Sequence, residues 1–136
     1  MAWVVDTSVL IDVFENDPEF GLASARCLEA HAGQGLLICP VTFVEMSPVC
    51  DGNETALTTF LTQAGVTWLE PWSWQDTKIA FRLWSACILR KRQTRAGRRP
   101  VADVLIGAFA SRFQGLITRN RADFRSLCPD LPLVSP

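Results

Sequence analysis

Short apolar runs that alternate with stretches of helical periodicity most restrict the fold of this chain. Four such runs begin at Trp3, Leu36, Val66 and Gly115, and a last one lies near Leu133. Each is too short for a buried helix and suits a buried strand. The segments between them place apolar residues at helical spacing and are bounded by Gly and Pro. This alternation predicts an α/β fold with a central, mainly parallel sheet, in one domain that spans residues 1–136.

The order of these elements places polar residues where a site is expected. The predicted strands lie at 3–5, 36–39, 66–69, 115–118 and 133–134, and the predicted helices at 9–15, 19–32, 40–47, 57–64, 73–92, 100–113 and 123–127. Asp6 directly follows the first strand, and Asn120 and Asp123 come shortly after the fourth. Sites in parallel α/β sheets lie beyond the carboxyl ends of the strands, so both segments are candidates.

Histidine and cysteine usage argues for a site built from carboxylates. The one histidine, His31, is expected at a helix C-terminus, which argues against a histidine-dependent triad. The five cysteines form no C-x-x-C pair and are expected to be buried in a reducing compartment. The opening residues carry no basic leader and no long apolar run occurs, so we expect a cytoplasmic protein without a membrane partner.

Charge is distributed unevenly along the chain. Residues 1–77 carry eleven acids and one base, whereas residues 78–136 carry three acids and twelve bases. Such polarity suggests an anionic partner held by the C-terminal half. Association of opposite faces of two copies is the alternative.

Asp6 and Asp103 are the strongest candidate functional acids. Asp6 could be a helix-terminal acid, but Asp6, Thr7 and Ser8 are all capping residues, more than one helix start requires. We therefore expect a functional Asp6, with Thr7 or Ser8 as the cap. Asp103 lies in a helix that is apolar nearly all round, where an unpaired carboxylate is costly. A pair with Arg99 or a helix-dipole contact is worth well under ~1 kcal/mol if exposed, so a metal ligand is the better account.

Glu45 and Asp123 each have a structural alternative. Thr42-x-x-Glu45 could be a capping box, and Asn120 could cap a helix with Asp123 in its first turn. If the four acids converge, two of them ~4 Å apart repel by on the order of 4 kcal/mol at an effective dielectric near ~20. A cation would offset this repulsion, and oxygen-only ligands favour Mg²⁺ or Mn²⁺.

Four segments are informative when taken together: residues 6–12, the helix around Glu45, residues 99–108 and residues 116–124. They resemble the PIN-domain ribonucleases, and most closely the VapC toxins of prokaryotic toxin–antitoxin pairs. The resemblance implies a three-layer α/β/α PIN-like fold and an endoribonuclease that hydrolyses structured RNA by a metal-activated water. It also implies that one or two Mg²⁺ ions lie among Asp6, Glu45, Asp103 and Asp123.

The resemblance further implies supporting residues and partners. Thr7, Ser8, Thr118 and Asn120 would orient the acids. A small antitoxin would cover the acidic pocket, and a homodimer is expected. The tryptophans of the middle region could serve the core, a dimer contact or base stacking; they are Trp68, Trp72, Trp74 and Trp84.

A basic cluster precedes Asp103. Six of the thirteen bases lie within residues 90–99. They could be a solvated helix end, but we favour a track for the RNA backbone beside the site. The residues expected to contact RNA are Arg92, Arg95, Arg98, Arg99, Arg119 and Arg121.

Other functional classes fit the sequence less well. A haloacid-dehalogenase phosphatase needs a second Asp two residues after Asp6, where Ser8 stands. A response-regulator receiver needs a lysine after a late strand, but the only lysines are Lys78 and Lys91. The remaining alternative is a PIN-like domain without catalysis that binds RNA or protein.

Overall fold

A parallel sheet forms the centre of the molecule in the computed structural model, which describes residues 1–94 and 101–136, without the side chains of residues 90–94. Within these ranges the strands are β1 (Trp3–Val5), β2 (Leu36–Leu37), β3 (Val66–Thr67), β4 (Gly115–Ile117) and β5 (Leu133–Val134). Their order is β3-β2-β1-β4-β5, and each neighbouring pair is parallel. The predicted α/β fold with a parallel sheet is confirmed.

Helices separate the strands as the periodicity predicts. They are α1 (Thr7–Phe14), α2 (Gly21–His31), α3 (Pro40–Glu45), α4 (Glu54–Ala64), α5 (Trp74–Thr94), α6 (Val101–Ala110) and α7 (Arg121–Leu127), with a 3₁₀ turn at Ala32–Gln34. The main difference is the end of α6, which was predicted at Phe113. The backbone N–H groups of Arg112 and Phe113 bond to carbonyls three residues earlier, so the chain tightens into turns after Ala110.

Alternation along β1 directs side chains to two separate cores. Trp3 and Val5 pack in one cluster with residues of α1, α2 and α4. Val4 packs in a second cluster with Ile106 of α6 and Phe124 of α7. Because successive residues of a strand face opposite sides, helices cover both faces of the sheet. The molecule therefore has three layers, α/β/α.

Several local predictions are confirmed. Pro40 is the first residue of α3, and Gly65 ends α4 with a φ of 72°. A capping box is also present at the start of α5. The Ser73 N–H donates to Asp76 Oδ2 at 3.0 Å, and the Asp76 N–H donates to Ser73 Oγ at 3.1 Å.

The cysteines and tryptophans divide between the core and the surface. All five cysteines are buried, and none forms a disulfide. Trp68, Trp72 and Trp84 pack partly buried against the cores, whereas Trp74 is 74% exposed. Among the helices of the described ranges, none has the length and apolar character needed to cross a bilayer.

Candidate active site

The candidate site lies at the carboxyl ends of β1 and β4, where the strand order reverses. The chain passes from β1 outward to β2 and β3, and it returns to the other side of β1 as β4. The Asp6 N–H donates to the Ile117 carbonyl at 2.9 Å, so the ends of β1 and β4 are joined directly. Such a switch point is where parallel α/β sheets open a crevice for ligands.

Asp6 is the buried centre of this site. Its side chain is 3% exposed, and its Oδ2 accepts hydrogen bonds from Thr118 Oγ1 at 2.7 Å and Ser8 Oγ at 3.0 Å. The Thr118 hydroxyl in turn accepts from the Asn120 N–H at 3.0 Å. Burial raises the pKa of Asp6, the hydroxyl donors oppose that rise, and the charge of Glu45 adds a smaller increase.

The hypothesis that Thr7 or Ser8 caps α1 is wrong. Helix α1 begins at Thr7, so Asp6 takes the N-cap position, and its side chain makes no capping bond. Both hydroxyls point to acids instead. Ser8 donates to Asp6, and Thr7 Oγ1 donates to Glu45 Oε1 at 2.7 Å.

Glu45 is the last residue of α3, and its side chain is exposed. The alternative that Thr42 and Glu45 form a capping box is wrong, because Cys39 is the N-cap and Thr42 lies inside the helix. Thr42 Oγ1 lies 3.1 Å from Thr7 Oγ1. A hydroxyl carries one proton, so Thr7 donates to the Glu45 carboxylate and accepts from Thr42.

Asp103 lies in the first turn of α6 and is half-buried. Burial raises its pKa to about 6, and the negative charges of Asp6, Glu45 and Asp123 contribute in that order. Asp103 is therefore within electrostatic range of the other three acids named from the sequence. Arg99, the alternative partner of Asp103, lies outside the described residues.

Asp123 lies in the first turn of α7 and is exposed. The capping alternative for this turn is not observed: Asn120 is at the N-cap position, but its side chain makes no capping bond. Asn120 contributes to the site through its backbone N–H on Thr118.

The four acids suit a hard divalent cation by their chemistry. Over the described ranges, however, no group of three or more His, Cys, Asp or Glu side chains is arranged to hold a metal ion. Mg²⁺ commonly binds through one or two carboxylates and keeps several waters, so it does not require such a cage. The donor types and their mutual repulsion fit Mg²⁺, while a complete coordination sphere of protein ligands is not preformed.

The arginines expected to bind RNA have different positions. Arg121 is exposed at the start of α7. Arg119 forms an ion pair with Asp12, with its Nε 2.7 Å from Asp12 Oδ2 and its Nη2 3.1 Å from Asp12 Oδ1. Its guanidinium also lies 4.1 Å from the centre of the Phe20 ring. The side chain of Arg92 and all of Arg95, Arg98 and Arg99 lie outside the described residues.

Sequence reasoning missed the pairing of Asp12 with Arg119. Asp12 falls within the segment that resembles the ribonucleases, but nothing local marks its partner, which is 107 residues away. A carboxylate on the buried side of an amphipathic helix was the one signal available. Asp12 is 2% exposed, which requires a counter-charge or several donors.

These layers, the strand order and the acids at the switch point define a three-layer α/β/α protein with a PIN-like fold. The chain is similar to a solved structure of VapBC2 from Rickettsia felis, bound to a DNA fragment from their promoter. The TM-score is 0.67 at 17% sequence identity, and the match covers 99% of this chain and 98% of that chain. No protein-family model matches the sequence, and no curated protein does. The likeness therefore concerns the fold.

Proposed function

We propose that this chain is a Mg²⁺-dependent endoribonuclease that hydrolyses phosphodiester bonds in structured RNA. The proposal is carried by the environment of Asp103 at the switch point, where burial and the negative charges of Asp6, Glu45 and Asp123 together raise its pKa. Repelling acids at a ligand-binding edge are explained by a cation that they bind together.

The residues of the chain have separate tasks in this proposal. Asp6, Glu45, Asp103 and Asp123 would hold one or two Mg²⁺ ions. When bound, the metal would activate water and stabilise the charge that develops on the phosphodiester. Ser8 and Thr118 hold the orientation of Asp6, and Thr7 holds that of Glu45, through the hydroxyl bonds described above.

Basic residues would hold the RNA backbone. Arg121 is exposed in the first turn of α7, the turn that also carries Asp123, and we expect it to contact the RNA backbone. The cluster at residues 90–99 remains a prediction from the sequence. Contacts of this kind release counterions, so RNA binding is expected to weaken as salt rises.

A protein partner is part of the proposal. The similar structure is of VapBC2 with promoter DNA. We infer that this chain is likewise a toxin, kept inactive in the cytoplasm by a small antitoxin that covers the acidic pocket, and that it forms a homodimer.

The test is cleavage of total cellular RNA by the purified chain with Mg²⁺ or with EDTA. Asp6→Asn and Asp103→Asn are expected to abolish discrete cleavage while they remain folded by circular dichroism. Asp130→Asn is the matched control, because Asp130 is exposed and precedes β5. It therefore lies towards the amino ends of the strands, whereas the candidate site lies at their carboxyl ends. Full cleavage by folded Asp103→Asn protein would contradict the catalytic assignment.

A non-catalytic PIN-like module that binds RNA or protein is the second candidate. It is favoured by the absence of a ready metal-holding group in the part of the chain that the structure describes. Calorimetry with Mg²⁺ separates the two candidates. A module is expected to bind no Mg²⁺ and to retain RNA equally well in Asp103→Asn, whereas the nuclease binds Mg²⁺ and loses that binding in the variant.

A further inference from the structure

The ion pair between Asp12 and Arg119 lies next to the candidate active site. Asp12 accepts two hydrogen bonds from the Arg119 guanidinium and a third from Ser24 Oγ at 3.0 Å. Asp12 and Ser24 are both buried, at 2% and 0% exposure. The centre of the Phe20 ring lies 4.1 Å from the guanidinium carbon of Arg119. The guanidinium is therefore held by an aromatic ring against its face as well as by hydrogen bonds from its N–H groups.

This pair joins two elements that carry the acids. Asp12 belongs to α1, the helix that follows Asp6 and begins at Thr7. Arg119 lies in the connection between β4 and α7, directly after Thr118 and directly before Asn120. The pair therefore ties the helix next to Asp6 to the connection that leads to Asp123.

The neighbours of Arg119 both take part in holding Asp6. Thr118 Oγ1 donates to Asp6 at 2.7 Å, and the Asn120 N–H donates to that same hydroxyl at 3.0 Å. A shift of the connection would move the Thr118 hydroxyl, together with the Asn120 N–H that bonds to it, relative to Asp6. An anchor at Arg119 keeps this three-residue connection, and the first turn of α7 after it, in register with Asp6.

We propose that Arg119, held by Asp12, is a positioning residue of the nuclease rather than a contact for RNA. It fixes the connection between β4 and α7, so that Thr118 orients Asp6 and Asp123 stays at the same edge of the sheet. This inference rests on the proposed function and assigns Arg119 a task within that site. Arg119 uses its planar fork on Asp12, a task that the single ammonium of lysine cannot reproduce.

The first test compares the RNA cleavage kinetics of Arg119→Gln, Asp12→Asn and the double variant. We expect kcat to fall by about 10- to 100-fold in each single variant. KM should stay within about twofold, and the double variant should be no worse than the poorer single one, because both remove the same link. Arg119→Lys is expected to recover only part of kcat.

Arg112→Gln is the matched control. Arg112 also forms a two-point ion pair with a buried acid, Asp76, at 2.7 and 2.9 Å. Arg112 lies just after the C-terminal end of α6, whereas Asp103 lies in its first turn. Nine residues separate the two, which corresponds to about 13 Å along a helix. Its loss should lower stability and leave kcat unchanged.

A direct contact of Arg119 with RNA would give a different kinetic result. In that case KM would rise, kcat would be retained, and the slope of log binding constant against log salt would decrease by about one. Additive losses in the double variant would also overturn the proposal, since the two residues would then act separately.

The second test does not depend on nuclease activity. Amide hydrogen exchange at Asn120 and Phe124 is expected to be about tenfold faster in Arg119→Gln than in the unmodified chain. The Ile38 amide, which bonds across to β3, should be unaffected, and Arg112→Gln should change neither Asn120 nor Phe124. If the unmodified chain cleaves no RNA, the proposed function fails, while unchanged exchange at Asn120 and Phe124 overturns the positioning role on its own.

Discussion

Hydroxyl side chains hold two of the four acids at the candidate active site, and each serves a particular carboxylate. Thr7 donates to Glu45, whereas Ser8 and Thr118 donate to Asp6. Asp6 and Asp103 could be named from the sequence because each stands out locally, after a strand or in an apolar helix. The resemblance named Thr118 as a supporting residue but not the acid that it serves, since Thr118 and Asp6 are separated by 112 residues and only the sheet brings them together.

Asp103 leads to a prediction about pH. Its pKa is raised from 3.8 to about 6, because burial and three neighbouring acids disfavour its charge. Because the folded state binds the Asp103 proton more tightly than the unfolded state does, protonation of Asp103 favours folding. This contribution to the free energy of unfolding is complete below pH 3.8 and is lost as pH rises through about 6. Without metal, the free energy of unfolding should therefore fall between pH 4 and pH 7 more than it does in Asp103→Asn.

Urea denaturation of both proteins in EDTA measures this difference. A rise to about 6 sets an upper bound of about 3 kcal/mol, which solvent screening reduces to about 1–2 kcal/mol. Added Mg²⁺ should diminish the pH dependence of the unmodified chain, because a bound cation favours the ionised acids. A difference between the two proteins that does not vary with pH would show that Asp103 is not under this electrostatic pressure.

Helices were easier to predict than their ends. The repeated apolar spacing in α4, α5 and α6 identifies each helix from many residues at once. An end depends on one or two hydrogen bonds, such as those that turn the chain after Ala110. The short strands β2 and β3 were likewise predicted too long, because an apolar residue can continue a run after the ladder bonds have ended.

Gly107 is a glycine within a helix, and close packing between helices, rather than the apolar periodicity, explains why a glycine stands there. It lies inside α6, where glycine costs about 1 kcal/mol relative to alanine. A Cβ at this position would lie 2.5 Å from Cys128 Sγ and 3.8 Å from the Phe124 ring of α7. The glycine therefore allows α7 and the residues after it to pack closely on α6.

Gly107→Ala is expected to destabilise the fold despite its better helix propensity. Cys128 and Phe124 are both buried, so the added methyl group should cost about 1–3 kcal/mol in overpacking. Thermal and urea unfolding measure the effect. Gly33→Ala is the control, because a Cβ there meets nothing within 4 Å and should leave stability nearly unchanged. Equal stability of the two variants would mean that Cys128 moves aside freely.

At the scale of the molecule, the two charged halves of the chain are partly neutralised inside the fold. Arg112 pairs with Glu70 and Asp76, and Arg119 pairs with Asp12. These are the ion pairs found over residues 1–94 and 101–136. Each of them joins a base of the second half of the chain to an acid of the first half. The sequence showed the imbalance and suggested an external partner; internal pairing could not be seen before the strand order was known.

The acids that remain at the switch point lead to a prediction about metal and stability. Their repulsion destabilises the folded state, so a cation that binds them there stabilises the whole molecule by mass action. At a Mg²⁺ concentration ten times its Kd, the gain is about 1.4 kcal/mol, or about 3–6 °C in Tm. NaCl at matched ionic strength separates binding from screening, which acts on all exposed charges. We expect Mg²⁺ to raise the Tm more than NaCl does, and we expect this difference to be lost in Asp6→Asn. An equal rise with both salts would mean that the acids repel one another without binding the cation, and it would favour the binding module over the nuclease.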